Sequence, residues 1–175
     1  MPKEESEKEE VSIPNYEVNE MTSTLSQSLD WGMKYCNIPE SWKVSKGKGI
    51  SIVVIDTGKP NHNDIGDNAI AGANFVEGEG IEDLNGHQTH CVGIICAKDN
   101  SQGYVGVAPE SRCICIKALN RNGSGSSSDV AEAILMAIEF KPDIICTPEC
   151  SNIITNNKGY LFKNSTFEVI LRLFI

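Results

Sequence analysis

The run Ile50-Ser51-Ile52-Val53-Val54-Ile55 constrains this chain more than any other stretch. It is almost wholly β-branched and shows no polar alternation, so it reads as a strand covered on both faces. Cys113 to Leu119 and Asp143 to Thr147 read the same way, and Ile70 to Phe75 is a weaker strand candidate. The segments between them are helix-length. Gln88 to Ala97 carries Val92, Ile95 and Cys96 on an apolar side. Asp129 is expected to cap a second helix with Glu132 as reciprocal partner. Val130, Ile134 and Ile138 form its inner face, with Leu135 beside them, and Pro142 ends it. Buried strands alternating with helices give βαβ units, so the expected fold class is α/β with a parallel sheet. Functional residues then gather at the carboxyl ends of the strands, where Asp56 and the turn-rich stretch Asn120–Ser128 both lie.

The 175 residues are enough for one domain with its own core. A formal charge of −9 offers no basic stripe to displace phosphate counterions, which argues against nucleic acid and against an anionic membrane. No apolar run is long enough to span a bilayer, and the Glu-rich start lacks the layout of a secretion signal. Of seven Cys, Cys113, Cys115 and Cys146 sit in strand-like runs. Buried thiols of that kind suit a reducing compartment, so a cytoplasmic location is expected. Residues 1–24 read as a flexible polar extension interrupted by one apolar island, Val11 to Val18. Residues 25–150 carry the α/β pattern, and 151–175 form a tail that fits no α/β repeat.

The strand's end, Asp56-Thr57-Gly58, and the helix start Gly86-His87-Gln88-Thr89-His90 supply an acid and a base. A buried carboxylate that orients an imidazole, which in turn takes a proton from a hydroxyl, is what acyl transfer needs. His87, His90, Cys91 and Cys96 also lie close enough in sequence to suggest zinc, although no Cys-x-x-Cys pair exists.

Taken in order, several segments resemble the subtilisin-like serine proteases (subtilases), closest in style to the intracellular subtilisins of bacteria. They are Gly47-Lys48-Gly49-Ile50 through Gly58, His62-Asn63-Asp64-Ile65, Asn85 to His90, Gly106-Val107-Ala108-Pro109, Asn122-Gly123-Ser124-Gly125 and Pro142-Asp143-Ile144-Ile145. The resemblance implies a subtilisin-like fold and makes Asp56 the triad acid and His87 the triad base. His90 becomes a second, structural His. It puts Ser124 and Gly125 on one side of a groove that binds extended peptide by strand addition. It further implies a calcium site formed by Gln27, Asp64 and Asn100 side chains with carbonyls of Lys98, Gln102 and Tyr104. A polar loop without metal is the plain alternative. Ile13-Pro14-Asn15-Tyr16 resembles the short inhibitory segment that intracellular subtilisins lay across their own active site.

The departures are specific. Gln88 stands where the family has Gly, and is expected to crowd the substrate or tilt the imidazole. Pro148-Glu149-Cys150 replaces a Ser-Leu-Gly groove segment, removing a backbone donor and adding a charge. The family's oxyanion Asn and its Gly-Thr-Ser-Met-Ala nucleophile segment are not found, and Ser151 and Ser165 lack the setting to substitute. The expectation is therefore a subtilisin-like serine endopeptidase truncated before its C-terminal half, inactive alone. The alternative is a non-catalytic pseudoprotease or inhibitory module that acts on an intact protease.

Overall fold

A computed structural model describes residues 10–14, 26–147 and 169–171. Its centre is a sheet of order β3-β4-β2-β6-β7, built from β2 (Ser51–Asp56), β3 (Ala69–Asn74), β4 (Arg112–Lys117), β6 (Ile144–Cys146) and β7 (Val169–Leu171). The pairs β2/β4, β2/β6 and β3/β4 are parallel, whereas β7 runs antiparallel to β6. The β-branched run thus becomes the central strand, as its lack of alternation requires.

Because side chains alternate along a strand, β2 feeds two cores. Val53 and Ile55 point to one face with Ile114, Ile116 and Ile145, under α4 (Ser127–Glu139). Ile52 and Val54 point to the other with Cys113 and Cys115, under α3 (His87–Cys96). α4 buries Val130, Ala133 and Ala137, while Ile134 and Ile138 pack at the rim and Leu135 is exposed. Two short helices, α1 (Trp31–Tyr35) and α2 (Ile38–Ser41), precede the sheet.

Two expectations shift. The cap of α4 is Ser126, whose Oγ accepts the Asp129 amide at 3.1 Å; Asp129 instead lies in the first turn. There its carboxylate complements the helix dipole. The stretch Asn120–Ser128 is not turn throughout: Ser124–Ser126 form strand β5, paired antiparallel with β1 (Glu10–Ser12). The helix ends at Glu139, and Lys141, at φ 49°, leaves the helical region ahead of Pro142. Tyr16, Pro148-Glu149-Cys150, Ser151 and Ser165 lie outside the described residues.

Candidate active site

Asp56 closes β2 and is 1% exposed. Its Oδ1 accepts the Thr57 amide at 2.6 Å, and its Oδ2 lies 2.6 Å from His87 Nδ1. His87 opens α3 after Gly86, whose φ of 99° turns the chain sharply into the helix. The bond to Asp56 holds the imidazole above the usual histidine range, against the opposing effect of its partial burial. An imidazole that donates Nδ1–H to a carboxylate keeps its opposite nitrogen as an acceptor, so the pair is arranged as a general base.

Asp83 anchors the loop that leads into α3, a role sequence reading missed. Its carboxylate accepts from the Gly86 amide at 2.8 Å, the Thr89 amide at 2.7 Å, Thr89 Oγ1 at 2.6 Å and Thr57 Oγ1 at 2.8 Å. Burial opposes its charge, but these donors together hold the carboxyl below the usual range. An acid just ahead of a helix was the available signal.

Gln88 does not crowd the site. Its side chain is fully buried and turns inward, with Oε1 accepting the Gly58 amide at 2.6 Å and Nε2 donating to the Val54 carbonyl at 2.9 Å. A glycine there would leave both groups to find other partners; glutamine joins the turn after Asp56 to the helix that carries His87. Lys117, fully buried at the end of β4, supports the same turn by donating to the Thr57 carbonyl at 2.5 Å and the Glu82 carbonyl at 3.2 Å. Its ammonium also pairs with Glu79 at 3.2 Å.

Ser124 and Gly125 lie on β5 beside β1, in register Val11↔Gly125 and Ser12↔Ser124. Gly125 admits no side chain, because a Cβ would run into the Ala118 carbonyl. Ile13 donates its amide to the Gly123 carbonyl at 2.9 Å and buries its side chain in the α4-side core, while Pro14 is exposed.

The residues expected around calcium are neighbours. Gln27 Nε2 donates to the Lys98 carbonyl at 2.8 Å. Asp64 accepts from Asn100 Nδ2 at 3.0 Å and from the Tyr104 amide at 3.1 Å, and the Gln102 amide reaches Asn100 Oδ1 at 3.0 Å. The four-residue zinc set is not assembled: His90 is exposed, and Cys96 packs into the α3-side core. Cys91 instead stands beside the Asp56–His87 pair, with its Sγ 3.8 Å from His87 Nδ1.

Among the described residues, no helix is long and apolar enough to cross a membrane. The family model described as "Subtilase family" matches residues 47–148. The intracellular serine protease of Paenibacillus polymyxa is 37% identical over 77% of this chain and 43% of its own length. The major intracellular serine protease of Bacillus subtilis is 39% identical over 78% of this chain and 45% of its own. A thermostable alkaline protease of Halalkalibacterium halodurans is 40% identical over 70% of this chain and 34% of its own. The chain thus spans less than half the length of these curated relatives. With the matched region running from ahead of β2 to just past β6 and taking in both Asp56 and His87, this chain belongs to the subtilase family.

Proposed function

We propose that this chain provides the acid and base of a subtilisin-like serine endopeptidase and is inactive without a nucleophile from outside its own sequence. The observation that carries the reading is the 2.6 Å bond between Asp56 Oδ2 and His87 Nδ1 at the carboxyl end of the central strand. Asp56 fixes the imidazole's tautomer and offsets the charge it gains on taking a proton. The second imidazole nitrogen removes a hydroxyl proton as that oxygen attacks a peptide carbonyl, then returns it to the leaving amine. No Gly-Thr-Ser-Met-Ala segment occurs in the sequence to supply the hydroxyl. An isolated acid–base pair contributes little, because triad members act as a unit.

Polypeptide is the proposed substrate, laid along β5 at Ser124 and Gly125. The chain's own Ile13–Tyr16 segment is proposed as an inhibitory extension; support comes from β1, which occupies that edge with Ile13 buried. Calcium is proposed to take the oxygens of Gln27, Asp64 and Asn100 with the carbonyls of Lys98, Gln102 and Tyr104, bracing the loop after α3; the Gln27 and Asn100 amides, whose nitrogens face the Lys98 carbonyl and Asp64, would turn their oxygens to the ion. An intracellular location is supported by two relatives named intracellular and by free cysteines at Cys36, Cys91, Cys96, Cys113, Cys115 and Cys146.

The test is a chimera joining this chain's residues 26–147 to the remaining, serine-bearing part of the Bacillus subtilis relative. The chimera is expected to label with a serine-directed fluorophosphonate and to lose labelling with His87→Ala, while the chain alone does not label. Stoichiometric labelling of the chain alone, or labelling of the chimera that ignores His87, overturns the reading. Slower hydrolysis when the chain is added to an intact intracellular subtilisin would favour the inhibitory-module alternative instead.

A further inference from the structure

Cys91 has no part in the proton transfer just described, yet it faces the two residues that do. His87 and Cys91 are four apart on α3 and so share one helix face. Asp56 approaches that face from the end of β2. Among the described residues, Asp56, His87 and Cys91 are the one group of His, Cys and acidic side chains whose ligand atoms all lie within 4.8 Å of one another.

We propose that these three residues form a chelating site for a zinc-class divalent cation, and that filling it switches the base off. A tetrahedral ion with bonds of about 2.0–2.3 Å sets its ligand atoms roughly 3.3–3.7 Å apart. The 3.8 Å separation of Cys91 Sγ and His87 Nδ1 already approaches that value. The 2.6 Å Asp56–His87 contact has to open by roughly 0.7 Å. Imidazole with thiolate favours zinc or cadmium over calcium and magnesium.

The charges balance. A carboxylate and a thiolate together neutralise a divalent ion, so binding leaves no net charge in a buried place. Burial and the nearby Asp56 charge push the Cys91 thiol up, so the ion must displace a reluctant proton, which passes to solvent. The neutral imidazole keeps its proton but moves it from Nδ1 to Nε2, because the metal takes the Nδ1 lone pair. A ring protonated at Nε2 can no longer accept a hydroxyl proton there. The cation site stands apart from the endopeptidase reading; only its effect on proton uptake rests on that reading.

The experiment titrates the full chain, carrying Cys36→Ser and Cys150→Ser, with cadmium chloride, and in parallel the nitrogen-15-labelled chain with zinc chloride. One equivalent of cadmium is expected to raise a thiolate charge-transfer absorption. Zinc is expected to move the protonated His87 nitrogen from Nδ1 to Nε2 in NMR. Cys91→Val preserves volume, and loss of one ligand weakens binding by about 100-fold or more, since even outer partners are worth about 10–100-fold. Asp56→Asn, which keeps the shape and removes the charge, also weakens it. Binding that survives Cys91→Val unchanged, absence of the absorption band at saturating cadmium, or a His87 proton that stays on Nδ1 each overturns the proposal. None of these readouts needs enzymatic activity.

Discussion

Gln88 accepts the Gly58 amide at 2.6 Å from inside the fold, and the same side chain donates to the Val54 carbonyl. One residue of α3 therefore fixes the backbone on both sides of Asp56. Gln88→Ala leaves a buried donor and a buried acceptor unmatched, an expected loss of about 1–3 kcal/mol. Urea unfolding measures it. A midpoint unchanged from the parent chain would show that the turn after Asp56 holds itself.

The His87 imidazole is held above its ordinary value of 6.5 by the Asp56 hydrogen bond. Its folded pKa exceeds its unfolded one, so the stabilisation is complete below 6.5 and fades as pH rises through the raised folded value. The stability difference between the parent and His87→Gln is expected to shrink over that rise. NMR titration should place His87 above the ordinary range in the parent and lower in Asp56→Asn.

Lys117 is a charge with no access to water, joined to Glu79, Thr57 and Glu82. Lys117→Met leaves Glu79 Oε2 and two carbonyls without their cation, while Glu79 Oε1 keeps Arg121, an expected cost of about 3 kcal/mol. Adding Glu79→Gln to it should recover part of that loss. Equal stability of the single and double variants would mean that the pair is not coupled.

Ile13 fastens β1 over β5. Burying an isoleucine is worth about 1.5–3 kcal/mol, and Ile13→Asp forfeits it. Amide hydrogen exchange should accelerate across Ser124–Ser126 in this variant and stay unchanged in β2. Unaltered exchange at β5 would show that the edge is held by something other than β1.

If calcium binds at Gln27, Asp64 and Asn100, a concentration 100 times its Kd stabilises the chain by about 2.7 kcal/mol. Thermal melts in calcium and in chelator measure this. Asp64→Asn and Asn100→Ala should shrink the calcium-dependent part, and magnesium should not substitute. A melting point indifferent to calcium removes the site.

Strands β2, β4 and β6 were legible because an unbroken apolar run has few fates other than a sheet interior, whereas β1 and β7 fall in the two end segments that were read as extension and tail. β5 was not legible, since Ser124-Gly125-Ser126 has no strand propensity and becomes a strand only through β1, far away in sequence. The misplaced helix cap follows from that. Ser126 and Asp129 are both good caps, and the choice is settled by where β5 ends. Asp56 and His87 were legible as a pair because each ends or opens an element at a glycine-flanked turn. The inward path of Gln88 was hidden, because nothing local says which way a side chain at a helix start will turn. Cys91 was read with His87, His90 and Cys96 as sequence neighbours; in space it keeps His87 and gains Asp56, while His90 and Cys96 point elsewhere.

Ser126 belongs to two structures at once: its backbone pairs with Glu10 across the β1–β5 ladder, and its hydroxyl caps the first turn of α4. Whatever extended segment occupies the β5 edge therefore also steadies the start of the helix that covers one whole face of the sheet. Clearing that edge is expected to loosen the opening turn of α4, which amide exchange at Asp129 would read.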